Sequence, residues 1–122
     1  MKTTYETGLR GENTAEAWLT REKGMVCLER RYRAKAGEID LIMLEGETVV
    51  FVEVKTRKNA APGTGLAAVD ARKQRRIAGG AQLYLMKKGW LNRQIRFDLV
   101  EINGEQVLHI PNAFQPGGMF YH

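Results

Sequence analysis

Gly37-Glu38-Ile39-Asp40-Leu41-Ile42-Met43-Leu44 and Val49-Val50-Phe51-Val52-Glu53-Val54-Lys55 are two apolar runs joined by Glu45-Gly46-Glu47-Thr48. Both are rich in branched apolar residues and too short for a typical helix, so they are expected to be strands. A turn centred on Gly46-Glu47 suits the two-residue type with Gly first. Counting outward from it pairs 45 with 48, 42 with 51, 40 with 53 and 38 with 55. Side chains alternate across a strand, so this register puts Glu38, Asp40, Glu53 and Lys55 on one face. Ile42, Leu44, Val49 and Phe51 share that face, and Ile39, Leu41, Val50, Val52 and Val54 line the other. Directly opposed Cβ atoms lie about 4.5–5.5 Å apart. Two carboxylates at that spacing repel by about 3 kcal/mol at an effective dielectric near 20.

Burying such charges is costly unless they are paired or bound to a metal. A divalent cation between Asp40 and Glu53 converts the repulsion into binding, and carboxylate oxygens suit Mg²⁺ or Mn²⁺. Lys55 would then stand where it can orient a water or stabilise developing charge. The plainer alternative is a pair of salt bridges on a surface hairpin. The apolar residues on both faces argue against simple solvation.

A length of 122 residues and a hydrophobic content of 43% favour one domain, spanning 1–122, with one core. No apolar stretch reaches membrane-spanning length, and Met1–Glu6 lacks the apolar run of a signal peptide. Cys27 has no partner cysteine and sits among Met25, Val26 and Leu28 as a small core residue. Together these features predict a cytoplasmic protein.

The formal net charge is +5, from 19 Lys and Arg against 14 Asp and Glu. Basic residues cluster at Arg30, Arg31, Arg33 and Lys35, at Lys55, Arg57 and Lys58, and at Arg72, Lys73, Arg75 and Arg76. The first two clusters flank the hairpin. A positive rim around a carboxylate centre suits a phosphodiester backbone; solvated faces that keep the chain soluble are the alternative.

A first helix is expected to begin between Leu9 and Thr14 and to run to Lys23. Ala15, Trp18 and Leu19 form its stripe and Gly24 its cap. Met25–Glu29 reads as a short strand and Arg30–Gly37 as a loop. Asn59–Gly65 is a flexible connection, and a second helix is expected over Leu66–Lys88. Gly79-Gly80 either breaks that helix or admits a close neighbour. Lys73 falls in the phase of the buried stripe, either snorkelling outward or pointing into the site beside Lys55. Gln94–Ile102 and Gln106–Ile110 form a second hairpin about Asn103-Gly104, which puts Asp98 opposite His109, most simply as a structural pair. Trp18 and Trp90 are packing residues, Ala113-Phe114 is expected to dock on the core, and His122 to be disordered.

The element order α-β-β-β-α-β-β, with Asp on the second strand and Glu-x-Lys on the third, resembles the restriction-endonuclease-like PD-(D/E)xK nucleases. Gly11-Glu12, Ala15, Gly37–Ile42, Phe51–Arg57, Val69, Lys73, Ala81, Tyr84-Leu85, Arg96–Asp98 and Ala113-Phe114 extend the likeness, over nearly the whole chain, to the YraN family of small bacterial proteins. That family is regarded as endonucleases similar to archaeal Holliday-junction resolvases. The resemblance implies an α/β fold with a mixed central sheet flanked by helices. It implies metal ligation by Asp40, Glu53 and Glu12, with Lys55 as the catalytic lysine, and Mg²⁺- or Mn²⁺-dependent cleavage of DNA, branched DNA in particular. The resolvases usually act as dimers, which implies a homodimer here. Glu38 belongs to the YraN signature and is an additional candidate. A catalytically inactive nucleic-acid-binding module of the same fold is the alternative. The family usually carries Arg-Asn-Tyr-Arg where this chain has Arg30-Arg31-Tyr32-Arg33, which suggests an extra phosphate contact from Arg31.

Overall fold

A computed structural model describes residues 4–58 and 61–116. The elements are α1 (Thr4–Lys23), β1 (Val26–Ala34), β2 (Gly37–Glu45), β3 (Thr48–Arg57), a 3₁₀ turn (Thr64–Ala68), α2 (Ala71–Lys88), β4 (Ile95–Asn103) and β5 (Gln106–Ile110). His122, Asn59 and Ala60 lie outside the described residues.

The five strands form one sheet in the order β1-β2-β3-β4-β5. Neighbours are antiparallel except β3 and β4, which run parallel. A parallel neighbour needs a crossover connection, and α2 supplies it. This is the mixed α/β sheet flanked by helices that the sequence predicts.

Each helix covers one face. Ile77, Ala81, Tyr84 and Leu85 of α2 pack with Ile42, Val49, Phe51, Phe97 and Leu99. Ala15 and Leu19 of α1 pack with Leu41, Met43, Val50, Val52 and Val100. Phe114 docks on the α2 side, stacking on Phe97 with ring centroids 5.5 Å apart. Full burial of each Val, Leu, Ile, Phe or Met side chain among them contributes about 1.5–3 kcal/mol.

The β2–β3 turn is the expected one. Gly46 has φ +59°, and Glu45 pairs with Thr48. The ladder follows the counted register through Leu41↔Val52 and then stops. Asp40 Oδ2 instead accepts the Val54 N–H at 2.8 Å, so a side chain replaces the next backbone rung. Alternation fails at the same place: Ile39 joins Ile42 on the α2 side, whereas Leu41 faces α1. The expected Asp40–Glu53 and Glu38–Lys55 rungs are therefore absent from the ladder among the described residues. So is the placing of Ile39 with Leu41.

Other boundaries differ for physical reasons. Helix α1 starts at Thr4, well before Leu9. The basic stretch expected to be a loop is strand as far as Ala34. An edge strand tolerates charge, and this one places Arg30 on Glu16 of α1 and Tyr32 against Tyr84, with ring centroids 5.2 Å apart. Helix α2 begins after Asp70, whose carboxylate accepts the Lys73 N–H at 2.9 Å as an N-cap. It ends at Gly89 in a Schellman arrangement, with Trp90 N–H bonded to the Leu85 carbonyl at 2.8 Å. The helix runs unbroken through Gly79-Gly80 because the chain approaches closely there: a Cβ on Gly79 would meet Ala36 Cβ at 2.8 Å. The reciprocal Cβ on Gly37 would meet the Arg76 carbonyl at 2.2 Å. That crossing holds the first turns of α2 over the open end of the β2–β3 ladder. The second hairpin turns on Gly104-Glu105, one residue later than expected, so His109 pairs with Val100 and not with Asp98.

Candidate metal and nucleic-acid site

The strands part where Asp40 and Glu53 sit. Leu41 and Val52 are fixed by burial, so the next residues along each strand stay close although no backbone rung joins them. Glu53 follows the alternation of β3 onto the α2 side and is only 4% exposed. A cleft of about 420 Å³ opens there, lined by Glu38, Asp40, Glu53, Arg72, Lys73 and Arg76. A second opening beside it is lined by Glu12, Asp40, Glu53, Lys55 and Lys73. Glu12, Asp40, Glu53 and Lys55 thus face one shared opening.

The charges in it are unevenly matched. Lys73 Nζ lies 2.6 Å from Glu53 Oε2, and Lys55 Nζ lies 3.4 Å from the same oxygen. The phase of Lys73 therefore resolves toward the site. Among the described residues Asp40 has one backbone donor and no salt bridge of its own. Burial, and then the negative charge of Glu53, push its pKa up to about 8 from the usual 3.8. Burial also lowers the Lys55 pKa, helped by the Lys73 ammonium beside it. For Lys73 burial pulls the pKa down, but hydrogen bonding and attraction to Glu53 outweigh it and leave the pKa raised. Burial raises Glu12 despite Arg31.

Arg31 is the local exception in β1. Its backbone has φ +49°, a left-handed conformation that Asn adopts more readily than Arg. Here the guanidinium donates to Glu12 Oε1 at 2.7 Å and covers the Tyr5 ring at 4.8 Å. It is paired with protein partners and also lines the groove beside Asp40 where a phosphate contact is expected. It pairs with Glu12 without removing that carboxylate from the opening it shares with Asp40 and Glu53. Among the described residues, no three carboxylate, imidazole or thiol groups stand together closely enough to hold a metal ion as placed. The chemistry that fits a divalent cation is the Asp40–Glu53 pair, two carboxylates forced together with too little positive charge on Asp40.

The remaining candidates divide. Arg72, Lys73 and Arg76 line the main cleft. Arg31, Arg33 and Glu38 line a smaller groove on the Glu12 side of Asp40. Arg33 and Glu38 form an exposed pair at 3.7 Å, so Glu38 faces Arg33 and not Lys55. Arg30 is held at 2.6 Å by each oxygen of Glu16 and remains exposed on the edge strand. Lys35 is exposed at the β1–β2 turn, and Arg57 and Lys58 stand at the far end of β3. Arg75 is exposed on α2 but lines neither opening.

Two features escaped the sequence reading. Glu101 is 2% exposed and pairs with Lys55 across the parallel β3–β4 rung. Its Oε2 accepts the Gly63 N–H at 2.8 Å, while its Oε1 has no hydrogen-bond partner among the described residues. The signal was available: Glu101 interrupts the apolar run Leu99–Ile102 as Glu53 interrupts Val49–Val54. The other is Arg96, which grips Asp98 with two nitrogens at 2.8 and 2.9 Å and Glu45 with a third. His109 still reaches Asp98 at 2.7 Å from its shifted rung, so the polar pair is structural as expected.

A family model described as an uncharacterised protein family, UPF0102, matches residues 11–102, which span Glu12 to Glu101. A UPF0102 protein of Alkalilimnicola ehrlichii is 44% identical over 114 residues, covering 93% of this chain and 90% of the relative. One of Saccharophagus degradans is 46% identical over 110 residues, covering 89% and 92%. One of Geobacter sulfurreducens is 40% identical over 113 residues, covering 88% of each. No helix among the described residues is long and apolar enough to cross a membrane.

Proposed function

The chain belongs to the uncharacterised protein family UPF0102, and on that premise we propose that it is a metal-dependent endonuclease that hydrolyses phosphodiester bonds in DNA, selectively at branched or junction structures. The observation that carries the reading is the Asp40–Glu53 pair, where burial and then the charge of Glu53 drive Asp40 up to about 8. A group so perturbed, in a basic cleft, marks a functional site more often than a structural one.

Asp40 and Glu53 would hold Mg²⁺ or Mn²⁺, joined by Glu12 when Arg31 releases it. The bound cation supplies charge to polarise a phosphate and to ease formation of hydroxide. Lys55, close to Glu53 and with its pKa lowered, orients the attacking water or stabilises charge on the phosphorus centre. Arg72, Lys73 and Arg76 hold the backbone across the cleft, with Arg33, Lys35, Arg57 and Lys58 extending the basic surface. Contacts of this kind position DNA without reading bases, so selectivity rests on shape. The protein acts in the cytoplasm, as a homodimer by analogy with branched-DNA resolvases.

A second reading has specific support: a nucleic-acid-binding module of the same fold without activity. Lys73 occupies Glu53, and Arg31 holds Glu12. A cleavage screen separates the two, using duplex, single-stranded, flap and four-way-junction DNA with Mg²⁺ or Mn²⁺. The endonuclease reading expects metal-dependent nicking, strongest on branched DNA and lost in Asp40→Ala. DNA binding by both proteins with cleavage by neither supports the inactive module.

A further inference from the structure

The two lysines on Glu53 Oε2 are not equivalent. Lys55 belongs to the same strand as Glu53, and its side chain is 24% exposed. Lys73 reaches across from the first turn of α2, makes the shorter contact at 2.6 Å, and is 41% exposed. Its backbone N–H is fixed by the Asp70 cap, so its place on the helix is set while its flexible four-carbon stem can swing. From Glu53 the cleft continues toward Arg72 and Arg76 on the same helix, which together offer an anion a place to bind.

A cation taken up by Asp40 and Glu53 meets the Lys73 ammonium already on one of its oxygens. Like charges on one oxygen repel, so either the cation binds weakly or Lys73 moves. A phosphate lying along Arg72 and Arg76 would give Lys73 somewhere to go.

We propose that Lys73 is the resident counter-cation of Glu53 and couples DNA binding to cation uptake, leaving Glu53 for a backbone phosphate and so freeing the oxygen for the metal. The inference rests on the endonuclease reading and adds an order to it: without DNA the centre binds cations poorly, and with DNA it binds them well. Coupling of this kind is reciprocal, so the cation tightens DNA binding by the same factor.

The test is calorimetric titration of Mn²⁺ into wild type, Lys73→Met and Arg76→Met, each alone and with a short phosphorothioate duplex. Lys73→Gln and thermal melting guard against a folding defect. Without DNA, Lys73→Met is expected to bind Mn²⁺ about fivefold or more tightly than wild type, the lower range of such couplings. Arg76→Met, which removes a nearby charge that does not touch Glu53, should change affinity much less. The duplex should then tighten wild-type Mn²⁺ binding by a larger factor than it tightens that of Lys73→Met. Unchanged or weaker Mn²⁺ binding by Lys73→Met and Lys73→Gln, with wild type binding normally, overturns the proposal and leaves the endonuclease reading standing. Absence of Mn²⁺ binding by all the proteins, with and without duplex, overturns both.

Discussion

Asp40 and Asp98 lie on the same sheet, and the protein pushes them in opposite directions. Asp98 is fully buried on the face that α1 covers. Burial alone would raise its pKa, but donors from His109, Arg96 and the Asn112 N–H outweigh that and hold it below the usual carboxylate range. Asp40 is raised by burial first, meets one backbone donor and two acidic neighbours, and reaches about 8. Both positions are costly for a charge. What differs is whether the fold supplies the compensating cation itself. At Asp98 it does, through Arg96, so that network is finished and structural. At Asp40 it does not, and the centre is left ready for a cation from solution.

Substitution by the neutral isostere should break this contrast in opposite directions. Asp98→Asn leaves Arg96 facing an amide, and the expected loss is about 3–5 kcal/mol, read as a lower denaturation midpoint with an unchanged m-value. Unaltered stability would remove the structural role given to Asp98. Its pH signature follows from the sign of the shift. A lowered folded pKa means the stabilisation is complete above the ordinary value of 3.8 and fades as pH falls through the lower folded value.

Asp40→Asn should instead stabilise the chelator-treated protein at pH 8 by about 1–3 kcal/mol, since it removes a poorly compensated buried charge. In wild type the native state holds a proton up to about pH 8 that the unfolded chain releases near 3.8. Metal-free stability therefore falls as pH rises between those values. Asp40→Asn should flatten that slope, as should saturating Mg²⁺ in wild type. A flat wild-type profile in chelator would contradict this.

A smaller effect sharpens the comparison at its edge. Arg31→Asn relieves a left-handed arginine worth about 1 kcal/mol or more and loses a part-buried, hydrogen-bonded ion pair of about 1.5–3 kcal/mol. Stability should fall by no more than about 2 kcal/mol, while the Glu12 carboxylate beside Asp40 loses its cation partner and cation affinity rises. Weakened cation binding would show that Arg31 supports the centre and does not restrain it.

The sequence carried most of this outline, and the misses share causes. Counting from Gly46 placed every rung from Glu45↔Thr48 to Leu41↔Val52, because apolar alternation sets register wherever both faces are buried. It failed at Asp40, where a side chain takes the Val54 N–H and counting has no term for that. The strand over Arg30–Ala34 was hidden because its charges find partners in space, Glu16 and Glu12, that lie far off in sequence. Lys73 was ambiguous from helical phase alone; only the crossing at Gly37 and Gly79 aims it at Glu53. Glu101 was legible by the rule that singled out Glu53, yet its pairing with Lys55 needed the parallel β3–β4 register, which no local pattern reveals.

The most direct test is an NMR titration of the Asp40 side-chain carboxyl carbon against pH, with and without saturating Mg²⁺. A midpoint near 8 is expected in the metal-free protein, moved by Mg²⁺ to below the ordinary carboxylate value. An ordinary midpoint that Mg²⁺ leaves in place would contradict it.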